Sequence, residues 1–230
     1  AQAGLALRVG HQFHWRNDGY RSFDDFLSRF RSKDRNSIRR ELRGPAEQGI
    51  VIRTVRGEEL AAASREYARA AYALHRSTIE KLMWGRGWLN QGLYELVFAR
   101  MPEHVELVEA RRAGALVAGA FNVASRDRLY GRYWGCFEEH PFLHFNVCLY
   151  HSIEDCIRRG LRAFEGGAGG EHKLSRGFLP AETWSAHAFA DARLDRAMRD
   201  ALRAETAERR ASLQRWLSQS PILKPPPEAR

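Results

Sequence analysis

Nothing in these 230 residues is apolar for long enough to cross a membrane, since no run of about 18 apolar residues occurs. Cysteine is scarce. Cys136, Cys148 and Cys156 are the three present, in no C-x-x-C pair. An odd, sparse set of this kind points to free thiols in a reducing, cytoplasmic setting and excludes a disulfide scaffold. The H-E-x-x-H pattern of a zinc hydrolase is missing too. The chain opens AQAGLALRVG, with neither Met nor a basic-then-apolar leader, so we expect a piece cut from a longer protein rather than a secreted precursor.

What is present suffices for a core, since 44% of the residues are hydrophobic. The net charge of +9 is concentrated. Between Arg29 and Arg43, seven basic residues stand against Asp34 and Glu41 and carry +5 of it. Ser22 with Asp25 reads as a helix cap, and Phe23, Phe26, Leu27, Phe30, Ile38 and Leu42 as the buried face of one helix that Gly44-Pro45 ends. The basic stripe then lies outward, where Arg35, Arg39 and Arg40 are candidate contacts for nucleic acid or phosphate. A plainly solvated helix face is the competing reading.

After this helix, residues 49–55 read as a strand and 58–78 and 89–101 as helices. Three strands joined by short turns follow at 104–110, 115–124 and 128–136, which makes them antiparallel neighbours. Residues 144–160 form an amphipathic helix, RAFEGG a short strand into a glycine loop, and 183–189 a further strand. A long polar helix covers 191–219, ahead of a proline-rich tail. This order predicts an α/β fold of GNAT acyltransferase type, a mixed, mostly antiparallel sheet flanked by helices. The expected division is a strand and basic helix at 1–48, a GNAT-like domain at 49–200, a helix at 201–219 and a tail at 220–230.

Four glycines in five positions lead into Glu171, His172, Lys173 and Arg176 within EGGAGGEHKLSRGFLP. Glycine lets a backbone approach a ligand, and Lys173 and Arg176 suit a developing oxyanion or a phosphate. Glu171 or His172 could relay a proton; a Glu171–Arg176 pair that merely stiffens the loop is the alternative. In GRYWGC, strand alternation puts Tyr130 and Trp134 on the side of Arg132, where they could cradle a substrate, although core aromatics are the blander explanation. His140, His144, Cys148 and His151 recur at spacings of four, four and three. No metal site is expected from them, because the paired cysteines of zinc sites are absent. His144 and Asn146 instead are expected to line a cleft at a helix entry, with Trp84 and Arg86 of MWGRGW as lesser candidates for an acceptor groove.

The segments HQFHWRNDGYRSFDDFLSRFRSKDRNSIRRELR, LYGRYWGCFEEHPFLHFNVCLYHSIEDCIRRGL and FEGGAGGEHKLSRGFLPAETWSAHAF together resemble the FemAB-like family. The resemblance covers nearly all of residues 8–200, and GRYWGC and GEHKLxRGF are its most specific parts. It implies the C-terminal one of two GNAT-like units, and kinship with Fem transferases, which move an amino acid from aminoacyl-tRNA to an amine on a cell-wall precursor. Their Lys-containing turn favours Lys173. The donor would be aminoacyl-tRNA or an acyl-CoA, and the acceptor an amine, on a lipid-linked precursor if the kinship extends that far. An acetyl-CoA-dependent N-acetyltransferase is the alternative enzyme, but CFEEHPFLHFN lacks the glycines that cradle a pyrophosphate. From another class, a non-catalytic RNA- or membrane-surface-binding module would use the basic stripe.

Overall fold

The computed structural model describes residues 4–81, 87–167 and 170–219. Strand β1 (Ala6–Arg16) comes first, followed by α1 (Phe23–Ser28) and α2 (Ser32–Glu47). Ser22 caps α1 by accepting from the Asp25 amide at 3.0 Å. The single helix expected here is in fact two, broken around Arg29–Arg31, where Arg29 and Phe30 bond back to Phe26 and Leu27 in a tight turn. Gly44-Pro45 does not end α2 either: Pro45 sits inside its last turn, buried.

Next come β2 (Ile50–Val55), α3 (Gly57–Ala62), α4 (Ser64–Ile79) and α5 (Gln91–Arg100), then β3 (Val105–Arg112), β4 (Ala115–Ala124) and β5 (Arg128–Cys136). A helical stretch follows as α6 (Leu143–Phe145), a π turn (Asn146–Tyr150) and α7 (His151–Arg159), then β6 (Ala163–Glu165). A 3-10 turn (Glu171–Arg176), β7 (Leu179–His187) and α8 (Ala192–Gln219) complete the order. The chain divides into two compact units, one spanning Trp15–Gly167 and the other made of the described residues on either side.

In the larger unit β2, β3, β4 and β5 are consecutive antiparallel neighbours, and β6 pairs parallel to β5. This is the mixed, mostly antiparallel α/β arrangement expected from the order of elements. Ala113 and Gly114 both take positive φ, 48° and 83°, and close the two-residue hairpin between β3 and β4. The sheet is covered on both faces, so β3 is buried from Val105 to Ala110, Glu106 and Glu109 included, and β4 from Val117 to Asn122. On one face Leu107 and Phe121 meet Leu60, Leu74, Tyr94 and Phe98 of α3–α5. On the other, Val108, Ala118 and Ala120 meet Leu143 and Val147.

Glycine decides how closely α4 approaches. A Cβ on Gly135 would lie 1.8 Å from the Leu74 carbonyl oxygen, and one on Gly119 would lie 2.6 Å from that of Val108. Both sites admit glycine alone, because backbone fills the space a side chain would need.

In the smaller unit β1 and β7 pair antiparallel from Ala6↔His187 to His14↔Leu179. Arg8 clamps Glu205 of α8 through two bonds, 2.9 and 2.7 Å, and Trp216 packs on His11 and Phe13. No helix among the described residues is long and apolar enough to cross a membrane.

Candidate active site

β5 pairs with β6 only from Arg128 to Tyr130, yet runs on to Cys136 beside β4. A cleft of about 390 Å³ opens at its C-terminal end. Trp134 and Cys136 line it from β5, Thr78 and Lys81 from the end of α4, and Glu138, Glu139 and His140 from the turn before α6. Leu143 and His144 close it at the helix entry, which Phe142 prepares in a left-handed conformation at φ 64°. That conformation is costly for a bulky residue. Phe142 is held by α2, where its ring takes the space above Gly44.

Hydrogen bonds fix the walls. Thr78 Oγ1 donates to the Trp134 carbonyl at 2.6 Å, and Lys81 Nζ donates to Glu139 at 2.8 Å while lying 3.5 Å from Cys136 Sγ. The Lys81 bond, followed by its charge, holds the Glu139 carboxyl below its usual range, so it is ionised near neutrality. Glu138 lies 3.0 Å from His140 Nε2 and 3.5 Å from Arg112, and Gln48 fixes the other nitrogen of His140 at 2.9 Å. The edge of the Trp134 ring meets His144 with centroids 5.0 Å apart. The cleft thus presents two carboxylates, an indole and two imidazoles, with Lys81 bound to Glu139 and Arg112 near Glu138. Its chemistry suits a cation carried on an apolar stem better than a phosphate.

The residues expected from sequence fall in several places. His144 is in the cleft lining, but Asn146 is buried and donates to the carbonyls of Glu41 and Phe142 at 2.8 and 3.0 Å. Arg132, Tyr130 and Trp134 do not share a side. Phe121 faces Tyr133 and Asn122 faces Gly131, so Arg132 is the extra residue of a β-bulge. The insertion reverses the alternation beyond it. Tyr130, opposite Val123, shares the α4–α5 face with Tyr133, whereas Trp134, opposite Ala120, faces the other way. Arg132 itself is exposed and has no ion-pair partner among the described residues.

His140, His144, Cys148 and His151 do not converge either. The π turn winds wider than an α-helix and rotates the residues beyond it. His151 ends 2.9 Å from Thr54 Oγ1, Cys148 packs beside the apolar cluster of Val108 and Val147, and no group able to hold a metal occurs among the described residues. Trp84, Arg86 and the side chain of Glu171 lie outside the described residues.

In the smaller unit the EHKLSR turn is bracketed by Gly170 and Gly177 at φ 86° and 84°. Lys173 and Arg176 are buried at 6% and 8% exposure. Arg176 donates to the His172 carbonyl at 2.9 Å and to Ser175 Oγ at 3.0 Å, and Phe178 N donates to the Lys173 carbonyl at 3.1 Å. His172 is exposed; local desolvation, then the charges of Arg176 and Lys173, lower its pKa and favour the neutral imidazole. Of the basic stripe, Arg35 bonds to the Phe30 carbonyl and Arg39 to Asp24, both at 3.3 Å, while Arg40 stays exposed.

Lys81, Glu138 and Glu139 were not picked out from sequence. The adjacent carboxylates in CFEEHPF were the available signal; Lys81, more than fifty residues upstream, had none.

The family model for FemAB-like proteins, described as peptidoglycan biosynthesis/recognition, matches residues 1–224. The chain belongs to the FemAB-like family. Among solved structures, this FemAB-like chain is similar to FemX, with 11% identity over 82% of this chain and 64% of that one at a TM-score of 0.57. L-PGS from Bacillus licheniformis matches with 11% identity over 87% of this chain and 67% of the other, at 0.56. The C-terminal domain of a lysylphosphatidylglycerol synthetase from Agrobacterium fabrum, so described provisionally, matches with 14% identity over 85% and 66% of the two chains, at 0.53. The FemAB-like chain therefore spans about two thirds of the length of these structures, and at such identities the likeness is one of fold. None of the curated proteins matches it.

Proposed function

We propose that this FemAB-like chain is an N-acyltransferase of the cytoplasm that forms an amide on an amine acceptor, with aminoacyl-tRNA as donor and a lipid-linked cell-wall precursor as acceptor. Family membership supports the class of reaction. The observation that carries the reading is the acidic, aromatic cleft at the end of β5.

An acceptor amine arrives as an ammonium. Glu138 and Glu139 attract that charge, and the Trp134 ring flanks its alkyl stem. His144 takes the proton that must leave before nitrogen can attack. The nitrogen then bonds to the ester carbonyl carbon, the carbon–oxygen bond to the donor breaks, and the nitrogen's second proton passes to a base as the donor hydroxyl departs. Within the smaller unit, and separately from this cleft, the Glu171–Arg176 turn is proposed as a second candidate site, where Lys173 with Arg176 stabilises an oxyanion and Glu171 or His172 relays a proton. Arg35, Arg39 and Arg40 are proposed as phosphate contacts for the tRNA.

Acetyl-CoA is the weaker donor. Its pyrophosphate would need backbone amides at the helix entry, where the preceding turn instead carries Glu138 and Glu139 and no glycine. The test incubates the full-length protein with charged tRNA, uncharged tRNA, acetyl-CoA or CoA at two salt concentrations, together with an amine acceptor. Amide formed only with charged tRNA supports the proposal. Transfer from acetyl-CoA replaces the donor, and salt-steep RNA binding without any transfer supports a non-catalytic module.

A further inference from the structure

Glu138 does not meet the cleft alone. The amides of Phe137 and Glu138 both donate to the Val117 carbonyl, at 2.8 and 3.3 Å, and Leu143 N closes the turn on the His140 carbonyl at 3.2 Å. Two side chains of that turn come into contact. His140 Nε2 stands 3.0 Å from Glu138 Oε2, with the imidazole 10% exposed and the carboxylate 45%.

The other ring nitrogen decides which hydrogens the imidazole carries. Gln48, the C-cap of α2, donates its Nε2 at 2.7 Å to Gly44, one of the last four carbonyls of that helix. That bond turns the amide oxygen towards His140, where Oε1 lies 2.9 Å from Nδ1. An amide oxygen only accepts, so Nδ1 carries a hydrogen. Nε2 then faces a carboxylate oxygen, and a neutral ring would set lone pair against lone pair at 3.0 Å. The contact therefore holds an extra proton, shared by Nε2 and Oε2.

Oε2 is also the atom 3.5 Å from Arg112, whereas Oε1 has no hydrogen bond or ion pair among the described residues. The other titratable groups around the cleft are Lys81 of α4, bound to Glu139 and beside Cys136 of β5, and His144 at the helix entry. Arg43 and Glu47, near the end of α2, pair with each other at 3.8 Å. An ammonium arriving at Oε1 would be a third cation on one carboxylate, after Arg112 and the ring. Like charges at such separations repel, and loss of the ring's proton removes the repulsion. Nε2 then accepts from the ammonium, whose three N–H groups suffice for Nε2 and Oε1 together.

We propose that His140, its tautomer set by Gln48, is a positioning residue of the acceptor site: it holds a proton against Glu138 and releases it to solvent as the acceptor's ammonium binds. This rests on the cleft being the amine site. No other bond is made or broken in the exchange.

The experiment is isothermal titration calorimetry of the full-length protein with n-butylammonium, an alkyl cation that stays charged up to about pH 10. Two buffers of different ionisation heat are compared from about pH 5 to 8, where histidines change charge. Release of about one proton per amine is expected at the acid end, with a Kd that falls up to about tenfold per pH unit. His140→Gln still offers a donor to Glu138 but has no proton to release, so binding should lose its pH dependence. Gln48→Leu is the sharper variant. It alters no titratable group, yet it lets the ring carry its one hydrogen on Nε2, so proton release should vanish there too. His144→Gln should keep it. Binding without proton release in the unaltered protein, or release that persists in His140→Gln or Gln48→Leu, overturns the proposal and leaves the amine cleft standing. Release lost in His144→Gln does the same. No binding, or binding unchanged by Glu138→Gln with Glu139→Gln, overturns it together with the amine cleft on which it rests.

Discussion

The side-chain amide of Asn146 donates at 2.8 Å to the main-chain carbonyl of Glu41, the acceptor that Pro45, four residues on, has no N–H to reach. A proline in the last turn of α2 is thereby tolerated, because a residue more than a hundred positions away supplies the missing donor. Tyr150 adds a bond to the Glu41 carboxylate at 2.5 Å. Together these bonds tie α2 to the helical stretch whose entry forms one wall of the cleft.

Asn146→Ala leaves that buried carbonyl without its donor and is expected to cost about 1–3 kcal/mol. In a Pro45→Ala background, which restores the backbone N–H, the same substitution should cost clearly less. Equal costs in the two backgrounds, read by denaturant unfolding, would refute the compensation.

Asp155 and Glu106 should respond to pH in opposite directions. Burial raises the Glu106 carboxyl despite Arg159 at 2.6 Å. At Asp155 burial pulls the same way but is outweighed by the bonds from Arg159 and Arg158 and the charge of Arg56, so that carboxyl is lowered. Stability from Asp155 is full above its reference value of 3.8 and is lost as pH falls through the lower folded value. Asp155→Asn should therefore cost about 2–4 kcal/mol at neutrality, since its arginines reach solvent in part, and less in acid. Stability from Glu106 is full below 4.5 and is lost as pH rises through its raised value, so Glu106→Gln should flatten that limb of a melting-temperature profile.

His151, half-buried and 2.9 Å from Thr54, has its pKa lowered by desolvation above all, with Asp155 opposing and Arg158 assisting. Its contribution is full above 6.5 and is lost as pH drops through the folded value. His151→Gln should reduce the fall in thermal midpoint between about pH 7 and 5. An unchanged slope would assign that fall to other groups.

Gly135→Ala places a methyl group against the Leu74 carbonyl and should destabilise by about 3 kcal/mol or more, as α4 is forced off the sheet. Gly114→Ala, with open space around it but φ at 83°, should cost about 1 kcal/mol from backbone strain alone. Thermal melts of the two variants separate crowding from conformation.

For the proposed activity, Lys173→Met should lower kcat about 100-fold or more with KM little changed. His144→Gln should shift the pH profile of kcat/KM, and Glu138→Gln with Glu139→Gln should raise KM for the amine with little effect on kcat. Unchanged turnover for Lys173→Met would remove that residue from the chemistry.

By itself the sequence placed most of the strands and helices, because periodicity, the Ser22 cap and the Ala113-Gly114 turn are local signals, but it ran α1 into α2 and α3 into α4, where the breaks at Arg29–Arg31 and Ala63 carry no glycine or proline. The residues quoted for the family resemblance carried the membership that the family model shows. Tertiary structure decided what depends on a neighbour. The bulge at Arg132 arises from the register β5 must keep with β4, and it parts Tyr130 from Trp134. The π turn scatters histidines that an ideal helix would align. In sequence Gly135 is one residue of GRYWGC with no local signal that marks its role. In space it is a contact between backbones, since only packing against Leu74 shows why a side chain cannot stand there.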